Sequence, residues 1–459
     1  MTAADFEALL ACPRCDRSPL ETSGEERRCP GCKTTFPALD GIPWLFAEPD
    51  ATIAQWRQRL QLAVQQQAHE KTRLQSALGK KDLLESTRRR LTLQRDAVSE
   101  HREMLLELLR PLELRSLSAS YESHLALRTR LPSDQGLNTY YGNAHRDWVW
   151  GEEENAASLS EIEAVLEESG DSATGVCLVL GAGAGRLAYD LHRRAGATVT
   201  VALDFNPLLL FIARRMFAGE SLPLYEFPLA PSSLENAARK QTLSAPEAAP
   251  DGLIPVLADV IRAPFAPARF DTIVTPWLID VLSEDLRSFA PRINRLLKPG
   301  GRWVNFGSLS FEHANRARRY SREEVLDIVS EAGFSKPASR DARIPYMCSP
   351  HSRHGRRELV FSLAAGKSAE VKAPERHKAL PDWIVVGKSP VPLLQTFQTQ
   401  ATSTRIHAYI MALIDGRRTV EDMAAVLEQQ KLMPKAEAVP AIRNFLIRMY
   451  EDSQRNPNF

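Results

Sequence analysis

The feature that most constrains this chain is VCLVLGAGAGRLAYDL, residues 176–191. Val176, Leu178, Val179 and Leu180 form an apolar, partly β-branched run that reads as a buried strand, and a helical pattern begins at Leu187. Between them stand Gly181, Gly183 and Gly185. A strand that breaks on glycines into a helix turns sharply, takes positive φ, and leaves bare backbone beside the unpaired N–H groups of the new helix. Such a bend is a seat for a ligand.

The next apolar strand, TVTVALD, ends at Asp204, about twenty residues beyond the glycines, where a nucleoside site places an acid to accept from ribose hydroxyls. The glycines follow G-x-G-x-G, not the G-x-G-x-x-G of a pyrophosphate-binding turn, so a phosphate-free nucleoside, S-adenosylmethionine, fits better than NAD. After Asp204, NPLLLFIARRMF reads as a helix capped by Asn206 with Pro207 in its first turn. A Pro-, Ala- and Ser-rich insertion, residues 219–251, is expected to wander over the surface. GLIPVLADV then reads as a third strand ending at Asp259, whose carboxylate suits an adenine amino group. FDTIVTPWLID, a helix, an LKPGG turn and RWVNFGSL complete a β/α alternation, which specifies a doubly wound Rossmann-like sheet with ligands at the carboxyl ends of its strands.

Cys12-Pro-Arg-Cys15 and Cys29-Pro-Gly-Cys32 are two CxxC knuckles separated by a short polar stretch. Four thiolates converging from two knuckles make a closed tetrahedral site suited to structural zinc, which stabilises a lobe too small to hold itself by its core. With four of six cysteines in this segment, the chain is not built on disulfides. The chain carries no apolar run near the roughly 20 residues a bilayer requires and no signal-peptide core, so it is expected to be cytoplasmic and away from membranes. Basic and acidic side chains number 58 and 57, which leaves no global field to attract nucleic acid.

Residues 51–130, rich in Gln, Leu, Arg and Glu, read as two or three helices that cap the sheet domain, with Arg88, Arg89 and Arg90 as a solvated face. LNTYYGNAHRDWVWGEEEN follows, dense in aromatic and polar groups without a clear period. It is expected to be a loop, either a lid that brings Tyr140 and Tyr141 to the substrate or a packed connector.

LGAGAGRLAYDL, the acid at Asp204, FDTIVTPWLID, LLKPGGRWVNFGSLSFEH and YSREEVLDIVSEAGF, with the preceding RDW, resemble the carnosine N-methyltransferase (N2227-like) family over about residues 138–365. The resemblance implies a class I methyltransferase domain that moves methyl from S-adenosylmethionine to an imidazole nitrogen of a histidine-containing substrate. It implies cofactor contacts at Gly181, Gly183, Gly185, Arg186, Asp204 and Asp259, and an imidazole held against Trp277, Asp280 and His313. Asp280 and His313 are the implied catalytic pair, and Tyr346 matches a family tyrosine. Asp280 also suits a plain helix cap, and His313 an ordinary surface histidine. The chain departs from the family at HSRHGRRELVF, where His351, His354, Arg356 and Arg357 replace an aromatic cluster. Arginines favour a carboxylate or an acidic peptide over an apolar dipeptide tail.

FPALDGIPWLF, with the knuckles before it, resembles the Trm112-like zinc ribbon, whose members attach to or activate methyltransferases. After a Pro- and Lys-rich linker, RIHAYIMALIDGRRTVEDMAAVLEQQ and AVPAIRNFLIRMYED read as three helices, with a turn at Asp415-Gly416 and a cap from Thr419 to Asp422. IDGRRTVEDMAAVL resembles the PqqD-like winged-helix module, which implies a precursor peptide held by an added strand. A plain winged-helix appendage for dimerisation or DNA binding is the alternative. The expected organisation is a zinc ribbon (1–48), a helical cap (51–137), a methyltransferase domain (138–366), a linker (367–392) and a PqqD-like module (393–459). The expected activity is N-methylation of an imidazole in a histidine-containing peptide or small molecule. Methylation of another small-molecule or RNA nucleophile, and a non-catalytic scaffold or activator, are the alternatives.

Overall fold

The computed structural model describes residues 3–114, 137–170, 172–313, 315–375, 383 and 388–455. The chain forms two compact units, Met1–Ala379 and Leu380–Phe459. The centre of the first is a seven-stranded sheet in the order β10-β7-β6-β11-β12-β14-β13. Its strands are β6 (Gly175–Leu180), β7 (Ala197–Asp204), β10 (Leu253–Leu257), β11 (Phe270–Pro276), β12 (Leu297–Gly307), β13 (Phe334–Tyr346) and β14 (Arg356–Lys367). Neighbours are parallel from β10 to β12, and β14 runs antiparallel to both β12 and β13. Val179, Leu180, Val201, Leu203, Ile273 and Val274 are buried because helices cover both faces, which is why these strands read as continuous apolar runs.

The expected α/β alternation is present, with Asn206 capping the helix after β7 by accepting from the Leu208 amide. Two expectations change. LKPGG is not a separate turn; it lies inside β12 as a bulge, because the pairing with β11 jumps from Leu297 to Arg302. The 219–251 insertion does not wander, for Ser221–Glu226 (β8) and Arg239–Ser244 (β9) pair as an antiparallel ribbon that buries Leu224 and Leu243. Alternating residues fix that register, and most of the insertion's prolines fall outside the strands, at Pro228 and Pro231 in the connection and at Pro246 and Pro250 after β9.

At the N-terminus a single turn, α1 (Ala3–Glu7), precedes β1 (Glu21–Ser23), β2 (Glu26–Arg28) and β3 (Thr35–Phe36), which form a small sheet, and β4 (Ala38–Leu39) pairs with β5 (Ile42–Pro43). Phe6, Leu10, Phe36 and Leu45 of this lobe share a buried cluster with Leu180, Val256 and Phe265 of the sheet domain. The lobe therefore shares a core with the larger domain. Two long helices follow, α2 (Pro49–Leu78) and α3 (Glu85–Leu108). They pack on each other, and Trp56, Leu60, Val64, Leu105 and Leu108 join the main core. A cap, not a free coiled coil, is what their faces make; the part expected over 115–130 lies outside the described residues.

The aromatic stretch is helical and not a loop. Leu137–His145 (α4) runs into a wider π-type turn over Arg146–Trp150, and α5 (Glu152–Glu168) follows. Tyr141 lies in the core, where its hydroxyl donates to the Tyr225 carbonyl at 2.8 Å. Its ring stands 5.2 Å from His101 of α3 and 5.1 Å from His145. Burial lowers both histidines to about 4, helped at His101 by the neighbouring His145. The unfolded chain therefore binds more protons than the native one between pH 6.5 and 4, so stability falls as pH falls through that window. Denaturant melts should lose about 1.4 kcal/mol per pH unit for each histidine. The same slope in His101→Phe would show that His101 contributes nothing.

The first unit also has α9 (Arg322–Glu331), and in the second unit α10 (Gln395–Ala412), α11 (Val420–Gln429) and α12 (Lys435–Arg455) pack Ile410, Leu413, Met423, Leu427, Ala438 and Ile442 together. Thr419 and Asp422 cap α11 reciprocally, as expected. The described residues of this unit carry no strand.

Candidate active site at the carboxyl ends of the sheet

Gly181, Gly183 and Gly185 all have positive φ, at 77°, 59° and 90°. Gly185 and Gly183 have different reasons. A Cβ on Gly185 would stand 2.7 Å from the Phe217 ring and 2.9 Å from Ala213, so this glycine lets the helix after the bend, α6 (Arg186–Arg194), approach α7 (Pro207–Phe217). A Cβ on Gly183 would meet nothing within 4 Å. The backbone there faces open space, the cradle that a ligand requires.

Asp204 points into the bend. Its Oδ2 accepts from the Gly183 amide and its Oδ1 from the Asn206 amide, both at 2.8 Å. Burial pushes its carboxyl up, while amide donors at Asn206, Gly183 and Phe205 pull it back down. A carboxylate has about four acceptor sites, so with these amides bound it keeps room for a hydroxyl donor. Asp259 lies two residues beyond β10 and caps the turn Val260–Arg262 by accepting from the Ile261 amide at 2.9 Å. Burial raises its carboxyl as well, and its second oxygen is free of that cap.

Arg186 is turned to the protein. Its guanidinium donates to Asp190 at 2.9 Å, to Glu152 at 2.9 Å and to the Asp147 carbonyl at 3.0 Å. The preceding RDW thereby joins the bend, since Trp148 Nε1 also donates to the Ala184 carbonyl at 2.8 Å. Arg146 bridges Asp147 and Glu154, and Glu154 accepts from the Met347 amide at 2.7 Å. One buried polar chain thus runs from the glycine bend to the tip of β13. The signal in the sequence was RDW itself, an arginine, an acid and a tryptophan within three positions.

At the tip of β11, Trp277 has φ of 50°, a left-handed conformation that a bulky residue rarely takes. It is locked there: its amide donates to the Phe306 carbonyl at 2.7 Å, and a Cβ on Gly307 would stand 2.9 Å from its backbone. Its ring packs 5.5 Å from Phe306 and 4.8 Å from Tyr346. Asp280 follows on the same loop. It does not cap the next helix, α8 (Leu286–Leu296), because Asp285 does that by accepting from the Arg287 amide. Asp280 Oδ2 accepts instead from Ser308 Oγ and from the Ser310 amide at 3.0 Å. Its Oδ1 has no partner among the described residues. Ser308 and Ser310 were not singled out in the sequence, although serines just past a buried strand are the available signal.

His313 sits beyond them, with Nδ1 accepting from the Asn315 amide at 3.0 Å. In the neutral ring this places the proton on Nε2. No hydrogen bond or ring contact among the described residues joins His313 to Asp280 or Trp277. Tyr140 packs half-buried against the main core.

Residues 138–354 match the family model described as Carnosine N-methyltransferase. Six of the seven sheet strands, the glycine bend and the strand-tip acids lie inside that span, so this domain is of the methyltransferase type. The curated Carnosine N-methyltransferase of Dictyostelium discoideum is 23% identical over 181 residues, which cover 35% of this chain and 38% of that protein. The chain therefore spans about two fifths of the length of that relative. Among solved structures, a Haemonchus contortus phosphoethanolamine N-methyltransferase 2 with S-adenosylhomocysteine is 15% identical, covering 52% of this chain and 58% of that one at TM-score 0.33. The 1,6-didemethyltoxoflavin-N1-methyltransferase of Burkholderia thailandensis is 21% identical, covering 56% and 93% at TM-score 0.32. TM-scores of this size carry no weight for chemistry.

In the N-terminal lobe, the sulfurs of Cys12, Cys15, Cys29 and Cys32 all lie within 4.8 Å of one another, and the Cys12–Cys32 and Cys15–Cys29 pairs are 3.6 and 3.5 Å apart. Tetrahedral ligands about 2.3 Å from zinc stand about 3.8 Å apart, so the set fits that ion. Burial pushes the Cys12 thiol up; at Cys32 burial also raises it, but the Thr34 hydroxyl and amide bring it to about 6. No described helix is long and apolar enough to cross a membrane.

Proposed function

We propose that this chain is an S-adenosylmethionine-dependent methyltransferase whose acceptor is an imidazole nitrogen of a histidine-containing peptide or small molecule. The observation that carries the reading is the meeting of two features at adjacent strand tips. Gly183 faces open space with Asp204 beside it, and Trp277 is strained beside an Asp280 with one oxygen uncommitted. The family match over residues 138–354 supports it.

Gly181 and Gly183 offer bare backbone to the cofactor, Asp204 accepts its ribose hydroxyls, and Asp259 takes its adenine amino group. The bound cofactor supplies a methyl group already activated on a sulfonium. What remains for the protein is to aim a neutral imidazole, since its nitrogen lone pair is a competent nucleophile. Trp277 and Tyr346 give the ring apolar walls. Asp280, fixed through Oδ2 by Ser308 and Ser310, accepts the ring's N–H at Oδ1. That contact selects the tautomer, directs the other nitrogen's lone pair at the methyl carbon, and stabilises the positive charge that grows on the ring. Asp280 would then accept the ring proton once the other nitrogen carries the methyl group. His313, with its proton on Nε2, donates to substrate and does not act as the base.

Asp280→Asn keeps the size of the side chain and removes the charge, so kcat on a histidine-containing acceptor should fall about a hundredfold with cofactor binding unchanged. Mass spectrometry with methyl-labelled cofactor reads the product, and calorimetry reads the cofactor. Full turnover in this variant removes the imidazole assignment. The four cysteines hold one structural zinc ion in the same proposal.

A further inference from the structure

The hairpin that closes the sheet carries arginine to the mouth of this site. Tyr346, the last residue of β13, stands directly across the ladder from Arg356, the first of β14. The Arg356 guanidinium lies over the Tyr346 ring, 4.6 Å from its centroid, and that ring is 4.8 Å from Trp277. The guanidinium is therefore within about 10 Å of the Trp277 ring. It is also held in one orientation, because Nε donates to Glu358 at 2.7 Å while the face stacks on the tyrosine. Its two terminal nitrogens have no acceptor among the described residues.

A guanidinium stacked on one face, tethered through Nε and open at both terminal nitrogens is arranged for end-on, bidentate binding of a carboxylate. The surroundings agree in sign. Arg353 and Arg357 share the exposed segment, with only Glu358 opposing them, and Arg357 spends one N–H on the Arg343 carbonyl.

We infer that Arg356 recognises an acidic side chain on the substrate, so that the acceptor is a peptide whose histidine lies close to an aspartate or glutamate. The inference rests on the imidazole reading above. An extended chain advances roughly 3.5 Å per residue, so a span of at most about 10 Å places the acid within about three residues of the methylated histidine. Glu358 has the role of positioning the guanidinium, and Tyr346 is shared between the imidazole pocket and the arginine.

The test uses the full-length protein and two N-acetylated, C-amidated histidine peptides that differ only in Glu against Gln two residues from the histidine. Wild-type protein should show about a tenfold lower KM for the Glu peptide. Arg356→Gln should erase that difference by raising KM for the Glu peptide alone, Arg356→Lys should restore part of it, and Arg356→Glu should reverse the preference. Equal KM values in the wild type, or a preference that survives Arg356→Gln, overturn the inference while imidazole methylation stands. Should neither peptide, nor any histidine-containing small molecule, be methylated by protein that binds the cofactor in calorimetry, the acceptor reading itself is wrong and this inference falls with it.

Discussion

Asp204→Ala should weaken binding of S-adenosylmethionine by several hundredfold, enough to take a micromolar site beyond the reach of ordinary calorimetry. Two effects add. The ribose loses a charged acceptor, at about 1.5–3 kcal/mol for each hydrogen bond it made. The Gly183 amide, which donates to Asp204 at 2.8 Å, also loses its partner, so the bend itself relaxes. Asn is not a mild replacement here, because an amide nitrogen would face a backbone N–H at Gly183 or Asn206. Circular dichroism should show the sheet intact. Undiminished affinity in a folded Asp204→Ala protein would mean that the open space above Gly183 is not a nucleoside seat.

Stripping metal from the cysteine lobe should do more than unfold the lobe. Four thiolates on two knuckles gain most of their order from the ion, whose binding energy of about 10–16 kcal/mol in small zinc modules is folding energy. The lobe is also bonded to the segment that carries Asp259. The Ala11 amide, next to Cys12, donates to the Pro264 carbonyl at 2.9 Å, and the Ala266 amide donates to the Leu9 carbonyl at 2.9 Å. The Leu45 amide donates to the Leu257 carbonyl at 2.7 Å. These bonds bracket the turn on which Asp259 stands. Chelation, or Cys12→Ser, should release one zinc per chain in a colorimetric assay, lower the thermal midpoint, and reduce cofactor affinity about tenfold. Metal retained in Cys12→Ser would contradict a four-sulfur site, and unchanged cofactor affinity after complete removal would contradict the coupling.

What could be seen in the sequence was whatever depends on near neighbours. The glycines at 181, 183 and 185, the Asn206-Pro207 start of α7, the Thr419–Asp422 cap and the paired CxxC knuckles each act within a few residues, so their spacing is their structure. Alternating apolar strands and helices likewise fix the doubly wound order. The misreadings have separate causes. The aromatic stretch at 137–150 looked irregular because its apolar groups face two sides at once, Tyr141 into the cap and Trp148 onto the bend. The 219–251 insertion looked like loose surface because its ribbon finds its partner in its own other half.

Sequence alone determined a sheet with a glycine bend, acids at its strand tips and a four-cysteine lobe, since these follow from residue type and short spacing. Tertiary structure alone decided which polar groups remain free. Arg186 is consumed by Asp190, Glu152 and the Asp147 carbonyl, whereas Asp280 keeps an oxygen and Arg356 keeps two nitrogens. A side chain's availability depends on what the fold places beside it, and several of those neighbours come from other elements: the Asp147 carbonyl at Arg186 is 39 residues away, Ser308 at Asp280 is 28 away, and the Glu154–Met347 contact spans 193.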